Sequence, residues 1–378
     1  MKKSSKISVL TVSLLVAAAA GLGAAWTSKR LTSNAGDSYN PAIVAAGSKV
    51  YVAWYDNTPG NNEIYFRRSL DSGATWETSK RLTNNAGDSQ YPDIAVSGAN
   101  VYVVWQDYMP GNSEIYFRHS ADDGATWEAV KRLTNLSNSS EYPKVAAVGP
   151  HVYVVWKEAT TGNEEIYFLH SGNSGASWLA AKRLTYNSDI SDDPTIAASQ
   201  ASVFLSWTEW PSMKVKFKKS DNRGTSWQAT LTAAVDSSSE CYNPVLAVGN
   251  DNIYLAWESR PLDFGDININ FSKSADGGST WSAPTPLNTF AYGTKHWPRI
   301  AASASAVYVV WYDGLDDHKV YFKKSPDGGD SWDDAQQLTS SAGSSTLPDV
   351  AMSWGQVYVA YDDDTPGNYD IYVKKKPL

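Results

Sequence analysis

Seven side chains in this 378-residue chain carry groups suited to holding a hydroxyl-rich molecule. Trp210 and Trp297 offer flat apolar faces on which a sugar ring can stack. Arg260 and Arg299 supply planar, permanently charged forks that match a carboxylate or a pair of hydroxyls. Glu209 and Asp313 can accept hydrogen bonds from hydroxyls, and His296 adds a further polar contact. The five histidines build no legible Ser-His-acid set, and no metal-ligand cluster or cofactor motif is present. The chemistry indicated is recognition, with no catalytic residue, metal or cofactor assigned.

A scaffold must bring these residues together, and it is written as a repeat. Ser69-Leu70-Asp71-Ser72-Gly73-Ala74-Thr75-Trp76 returns at Ser120 to Trp127, Ser171 to Trp178, Ser220 to Trp227, Ser274 to Trp281 and Ser325 to Trp332. The Asp or Asn can bond backbone N–H groups two residues on, and Gly supplies a positive φ. The Trp is expected to bury its face between strands and anchor the turn to its own unit. Around each octapeptide lie four strand patterns; in the second unit they are Pro92 to Val96, Val101 to Trp105, Glu114 to Arg118 and Lys131 to Thr134. The second strand ends at Trp54, Trp105, Trp156, Trp207, Trp257, Trp311 and Tyr361, at spacings of 51, 51, 51, 50, 54 and 50 residues.

That makes seven units but only six complete octapeptides. Residues 26–32 match the stretch from Trp76 to Thr83 with one residue deleted, while the C-terminus stops after a third strand, Asp370 to Val373. The reading is an all-β, seven-bladed β-propeller of four-stranded blades, its ring closed by the N-terminal strand completing the last blade. A linear solenoid would need caps and would not divide one unit between the termini.

Residues 1–25 have a basic start (Lys2, Lys3, Lys6), an apolar stretch from Val9 to Ala20, and small Gly23 and Ala25. They read as a signal peptide cleaved before Trp26, leaving residues 26–378 as the propeller. Nothing later is apolar enough for a membrane span, so the expected product is soluble, monomeric and secreted, periplasmic or in the cell envelope. Removing three lysines takes the formal charge from −8 to −11, which disfavours nucleic acid. Cys241 is the only cysteine, so packing rather than disulfides must stabilise the fold.

The octapeptides and strand pattern resemble the bacterial-neuraminidase-repeat, or Asp-box, proteins over residues 26–378. That group includes sialidases, other glycosidases, lectins and non-enzymatic assembly factors. The resemblance implies a ligand face opposite the boxes, near the axis, built from loops such as 84–91 and 106–113. A sialidase would need three converging arginines, a Tyr nucleophile paired with a Glu, and an Asp acid/base. Arg30, Arg81, Arg132 and Arg183 share a fourth-strand position; Arg67, Arg68 and Arg118 end third strands; Arg223 lies inside a box. Only Arg260 and Arg299 remain, and Tyr39-Asn40-Pro41-Ala42-Ile43 stands where the Arg-Ile-Pro motif is expected.

Departures from the repeat mark the same face. Units 1, 2 and 7 carry Thr58-Pro59-Gly60-Asn61, Met109-Pro110-Gly111-Asn112 and Thr365-Pro366-Gly367-Asn368 between their second and third strands. Units 4 to 6 replace them with Glu209 to Ser212, Ser259 to Gly265 and Asp313 to His318, and Tyr292 to Trp297 leads into unit 6. Asp56, Asp107, Glu158, Glu209, Asp313 and Asp363 recur two residues after the second-strand aromatic, a periodicity suited to fixing each loop through backbone N–H groups; unit 5 differs, with Glu258 directly after Trp257. The function expected is non-catalytic recognition of a glycan or other acidic, hydroxyl-rich ligand. The alternatives are a sialidase-like hydrolase or lyase with rearranged acids (Glu209, Glu258, Asp263, Asp313) and a protein-interaction scaffold of the cell envelope.

Overall fold

The computed structural model describes residues 25–378 except 110, 160–161, 234–237, 251, 264, 289–293 and 315–317. The expected leader, apart from Ala25, and the loop calls on Pro110, Phe264, Tyr292, Gly293 and 315–317 lie outside the described residues.

Seven four-stranded antiparallel sheets form a β-propeller. Blade 1 runs Ser38–Ala46, Lys49–Asp56, Glu63–Ser69 and Lys80–Arg81 from the axis outward, and blades 2 to 6 repeat it. Each second strand is buried along nearly its whole length, as in Asn100–Asp107, because a blade is covered on both faces by its neighbours. This is why the strand reads as a continuous apolar run, Val-Tyr-Val-Val-Trp, rather than as an alternation. The hydrophobic core therefore lies in the seams between blades. One seam joins Tyr51, Ile64 and Phe66 of blade 1 to Ile94, Val101, Val103 and Trp105 of blade 2.

The octapeptide turn connects the third and fourth strands, and its geometry differs from expectation in two ways. Asp71 reaches four residues on rather than two: its carboxylate accepts the Thr75 N–H at 2.8 Å and the Thr75 hydroxyl at 2.6 Å. Ser69 Oγ donates to Asp71 at 2.8 Å and accepts the Gly73 N–H at 2.8 Å, so one carboxylate and one hydroxyl organise the whole turn. Nor does the Trp anchor the turn to its own blade. Trp127 meets Phe66 of the preceding blade edge-on, ring centroids 4.9 Å apart, and Trp178, Trp227, Trp281 and Trp332 repeat the contact on Phe117, Phe168, Phe217 and Phe271. Gly124 lies against the same Phe66 ring with φ +82°, and a Cβ there would stand 2.5 Å from it.

Blade 7 combines Ser345–Ser353, Gln356–Asp363 and Asp370–Pro377 with the N-terminal strand Thr27–Arg30. The register runs from Thr27 opposite Lys375 to Arg30 opposite Tyr372. Leu31 N–H donates to Ile371 O at 2.7 Å, Thr32 Oγ1 donates to Asp370 at 2.7 Å, and Arg30 pairs with Asp370. Trp26 packs edge-on against Phe322, centroids 5.0 Å apart, taking the place of the missing octapeptide Trp.

Deleting residues 26–32 is expected to lower the melting temperature by roughly 5–10 °C, read by calorimetry, since it removes one strand and one inter-blade anchor. Gly124→Ala should destabilise by about 2–4 kcal/mol in urea titration, combining left-handed backbone strain with a clash on Phe66. An unchanged midpoint in either would refute the corresponding lock.

Candidate functional site

The face opposite the octapeptide turns is shaped by a proline in every inner strand. Around it the pairing with the second strand slips, as between Tyr39 and Ala42 in blade 1 or His296 and Arg299 in blade 6. The residue before the proline is forced into left-handed backbone in all seven blades: Asn40, Tyr91, Tyr142, Asp193, Asn243, Trp297 and Leu347, with φ between 45° and 52°. Several of the displaced N–H groups are taken up by the preceding blade. Asn40 N–H donates to Asp362 at 3.0 Å, Tyr142 N–H to Gln106 at 3.0 Å, and Trp297 N–H to Glu258 at 2.8 Å. These seven residues ring the mouth of an axial cavity of ≈ 390 Å³.

A chain of tyrosines curves over blades 7, 1, 2 and 3. Tyr369 lies 4.9 Å from Tyr39, Tyr39 5.6 Å from Tyr55, Tyr55 6.0 Å from Tyr91, and Tyr91 5.0 Å from Tyr142, measured between ring centroids. All five are half-buried, so each keeps part of a ring open. Burial pushes the hydroxyls of Tyr39 and Tyr142 up to about 12, which keeps them protonated as donors. The arc ends at Lys157, whose ammonium sits 5.0 Å from the Tyr142 ring.

From there the face becomes charged. Lys157 Nζ reaches Glu164 at 3.1 Å, Asp192 at 3.2 Å and Glu141 at 3.8 Å. Burial alone would lower this ammonium, but Asp192 and Glu164 outweigh it and hold it above the ordinary lysine range. Next to it, burial and then the Asp192 charge push the Asp193 carboxyl up to about 7. Glu258, fully buried, accepts Asn243 Nδ2 at 2.7 Å and the Trp297 N–H at 2.8 Å, and its second oxygen lies 3.0 Å from His296 Nδ1. Below the mouth, Lys144 stands 3.9 Å from Asp93 and Arg299 4.0 Å from Asp349, two ion pairs in the cavity wall.

Blades 4 and 5 rise above this floor. Pairing in blade 1 begins at Ser38 and Asp56; in blade 4 it extends one pair further, to Ile190 and Trp210, and in blade 5 two, to Ser239 and Pro261. In blades 1, 2, 3 and 7 an asparagine in this hairpin ties the blade to the loop entering the next, Asn61 Nδ2 donating to Gly87 O at 2.6 Å and Asn368 Nδ2 to Gly36 O at 2.6 Å. The hairpins of blades 4 and 5 lack that asparagine and form a one-sided wall.

Of the seven residues singled out by sequence, His296, Trp297 and Arg299 share one inner strand, and the last two line the axial cavity. Trp210 stands 41% exposed on the wall of blade 4, and Arg260 on that of blade 5, ion-paired with Glu240. Glu209 and Asp313 are buried at the carboxylate position common to the blades, Glu209 held by Asn187 and by Lys216 at 2.9 Å. At the same position Asp107 accepts Ser89 Oγ at 2.7 Å and the Met109 N–H at 2.9 Å. Glu258 falls outside that series, because the register places Ser259 there. Sequence reasoning missed the tyrosine arc, Lys157 and Asp193. The signal for three of them was the residue before each inner-strand proline.

Among the described residues, no group of three or more His, Cys, Asp or Glu is arranged to hold a metal ion, and no helix is long and apolar enough to cross a membrane. No protein-family model and no curated protein sequence matches the chain. Solved structures match its fold. An ulvan lyase of a new polysaccharide lyase family, bound to a GlcA(1-4)Rha3S unit, superposes with TM-score 0.66 at 10% identity, covering 91% of this chain and 94% of that one. A Dyadobacter fermentans protein of unknown function gives 0.55 at 12%, covering 93% and 99%. A Trypanosoma rangeli sialidase with 2,3-difluorosialic acid gives 0.54 at 12%, covering 92% of this chain and 59% of the sialidase. At such identities the likeness is one of fold.

Lys157→Met should cost about 2–3 kcal/mol in urea titration at pH 7, below the range for fully buried pairs because its partners are partly hydrated. The loss should shrink as the pH falls into the acidic range, because burial raises the Glu141 carboxyl, which takes up its proton early and leaves Lys157 with less counter-charge. A loss that does not vary with pH would show that the hub acts through packing alone.

Proposed function

We propose that this chain is an exported Asp-box propeller that recognises a glycan on the face opposite its octapeptide turns. The observation that carries this reading is the arc from Tyr369 to Tyr142, a continuous run of half-open rings leading to the axial cavity. Ring faces stack on the C–H faces of sugars while protonated hydroxyls donate to sugar oxygens, the mixture that glycan sites require. Trp297 at the mouth extends the platform across the axis, and the wall of blades 4 and 5 limits the directions in which a chain can lie. Solved structures of similar fold support the class, since they hold a GlcA(1-4)Rha3S unit or sialic acid derivatives. Recognition is the reading preferred over a protein scaffold, because a flat protein partner would not need a deep cavity beside a sugar-sized aromatic track.

Export rests on residues 1–25, and N-terminal sequencing of the secreted product should begin at Trp26. On a glycan array the protein should be retained by a defined group of glycans. Tyr91→Ala and Tyr142→Ala should each weaken retention about tenfold, equivalent to ~1.4 kcal/mol. Trp354→Ala, 77% exposed in the turn between the first two strands of blade 7, should leave retention unchanged. Retention that survives both tyrosine changes would sink the reading.

A further inference from the structure

We propose that a neutral glycan seated at the axis is hydrolysed there, with Asp193 as the acid that protonates the departing oxygen and His296, oriented by Glu258, as the base that activates water. This rests on the glycan reading and adds turnover to it.

Three blades contribute. Asp193 of blade 4 lines the cavity and receives the Asn243 N–H and, at 3.5 Å, the Thr208 hydroxyl. Asn243, in blade 5, also lines the cavity and donates its side-chain N–H to Glu258. Glu258 in turn orients His296 of blade 6 and holds the Trp297 backbone. An acid in the cavity wall and a partly exposed imidazole, next in sequence to Trp297 of the cavity mouth, thus stand on separate blades joined by a network that fixes both.

The division of roles follows from the contacts. Glu258 is buried and already takes three hydrogen bonds, so it serves His296 as a carboxylate orienter rather than as a nucleophile. With Nδ1 turned to Glu258, no described residue bonds His296 Nε2, which is the nitrogen left to face water. Asp193 sees Asp192 on its own strand, Lys157 from blade 3 and Glu258 from blade 5. Burial and that surplus of negative charge favour its protonated form near neutrality, the state a general acid requires.

The substrate class follows from the charges already present. Every described cation around the cavity faces a carboxylate: Lys157 has three, Arg260 has Glu240, Arg299 has Asp349 and Lys144 has Asp93. An anionic sugar would find its counter-charges taken. A transition state that builds positive charge at the anomeric carbon is instead stabilised by Asp192 and Glu258. In the step, the C1–O bond breaks as Asp193 passes its proton to the leaving oxygen. Water bonds to C1 from the opposite side and its proton passes to His296 Nε2. Asp193 ends as carboxylate and His296 as imidazolium, and exchange with solvent resets both. Because water attacks directly, the anomeric configuration inverts.

The full chain, expressed and processed, would be incubated with β-1,3-glucan, xylan, mannan and galactan, scoring retention by affinity electrophoresis and cleavage by new reducing ends. The expected result is that a retained polysaccharide is also cut, with inverted product by NMR. Asp193→Asn, a replacement that tolerates left-handed backbone, and His296→Gln should each lower cleavage at least 100-fold, read as kcat at saturating polysaccharide so that any change in retention is separated from it. Glu258→Gln, acting on positioning, should lower kcat more than it alters KM and move the acidic limb of the rate–pH profile. Retention without cleavage by the unaltered protein, retained product configuration, or cleavage surviving Asp193→Asn would overturn the proposal while leaving recognition intact. No retention on any of the four polysaccharides would overturn both.

Discussion

In five of the six octapeptides the closing tryptophan meets a phenylalanine of the preceding blade edge-on, and the turn glycine lies against the same ring. Lysines and arginines add polar ties across several seams, as when Lys131 donates to Gly175 O of the following blade at 2.7 Å and Arg118 to Leu82 O of the preceding one at 2.5 Å. Blades are therefore fastened to one another from the outside, at the turn face. Side-chain shape, not backbone pairing, sets the angle between adjacent sheets, and seven such angles set the diameter of the axis. Because this fastening is repeated and remote, the opposite face, though it adds ties of its own, is freer to differ from blade to blade.

That freedom is used unevenly. Blades 7 and 1 to 3 present an aromatic floor, whereas blades 3 to 6 concentrate carboxylates around Lys157 and His296. The inner-strand proline makes both possible, since it turns one side chain per blade toward the axis at the cost of left-handed backbone, about 1–2 kcal/mol per residue. The preceding blade supplies compensation in places, as when the Glu258 carboxylate accepts the Trp297 N–H. Glu258 thus stabilises the backbone and orients His296 with different oxygens. Scaffold and site meet at that one side chain.

Much of the architecture was legible in the sequence because the repeat is dictated by packing. Trp54 and its equivalents, the octapeptides, and the match of residues 26–32 to the stretch after Trp76 gave blade number and closure. The site was less legible. His296, Trp297 and Arg299 stood out as a local departure, and Trp297 and Arg299 do line the axial cavity. Tyr39, Tyr55, Tyr91, Tyr142 and Tyr369 did not stand out, because they occupy four different positions of the repeat and become neighbours only when blades stack. Glu258 already stood apart from the loop-fixing acids by its count from Trp257, and the register agrees, placing Cys241 opposite Ser259 at the loop-fixing position of the fifth unit.

The closing strand also governs the order in which the molecule can assemble. Residues at opposite ends of the chain bond across it, with Thr27 Oγ1 donating to Lys375 O over 348 positions. Loop-closure entropy makes such a contact late, and the last blade cannot complete until its final strand has been synthesised. Until then the first strand to emerge has no partner. Its sequence, Thr-Ser-Lys-Arg, is four residues long, exposed throughout and basic. Short, charged edges of this kind are poor templates for pairing with another chain, so the strand can wait for the end of synthesis without seeding aggregation.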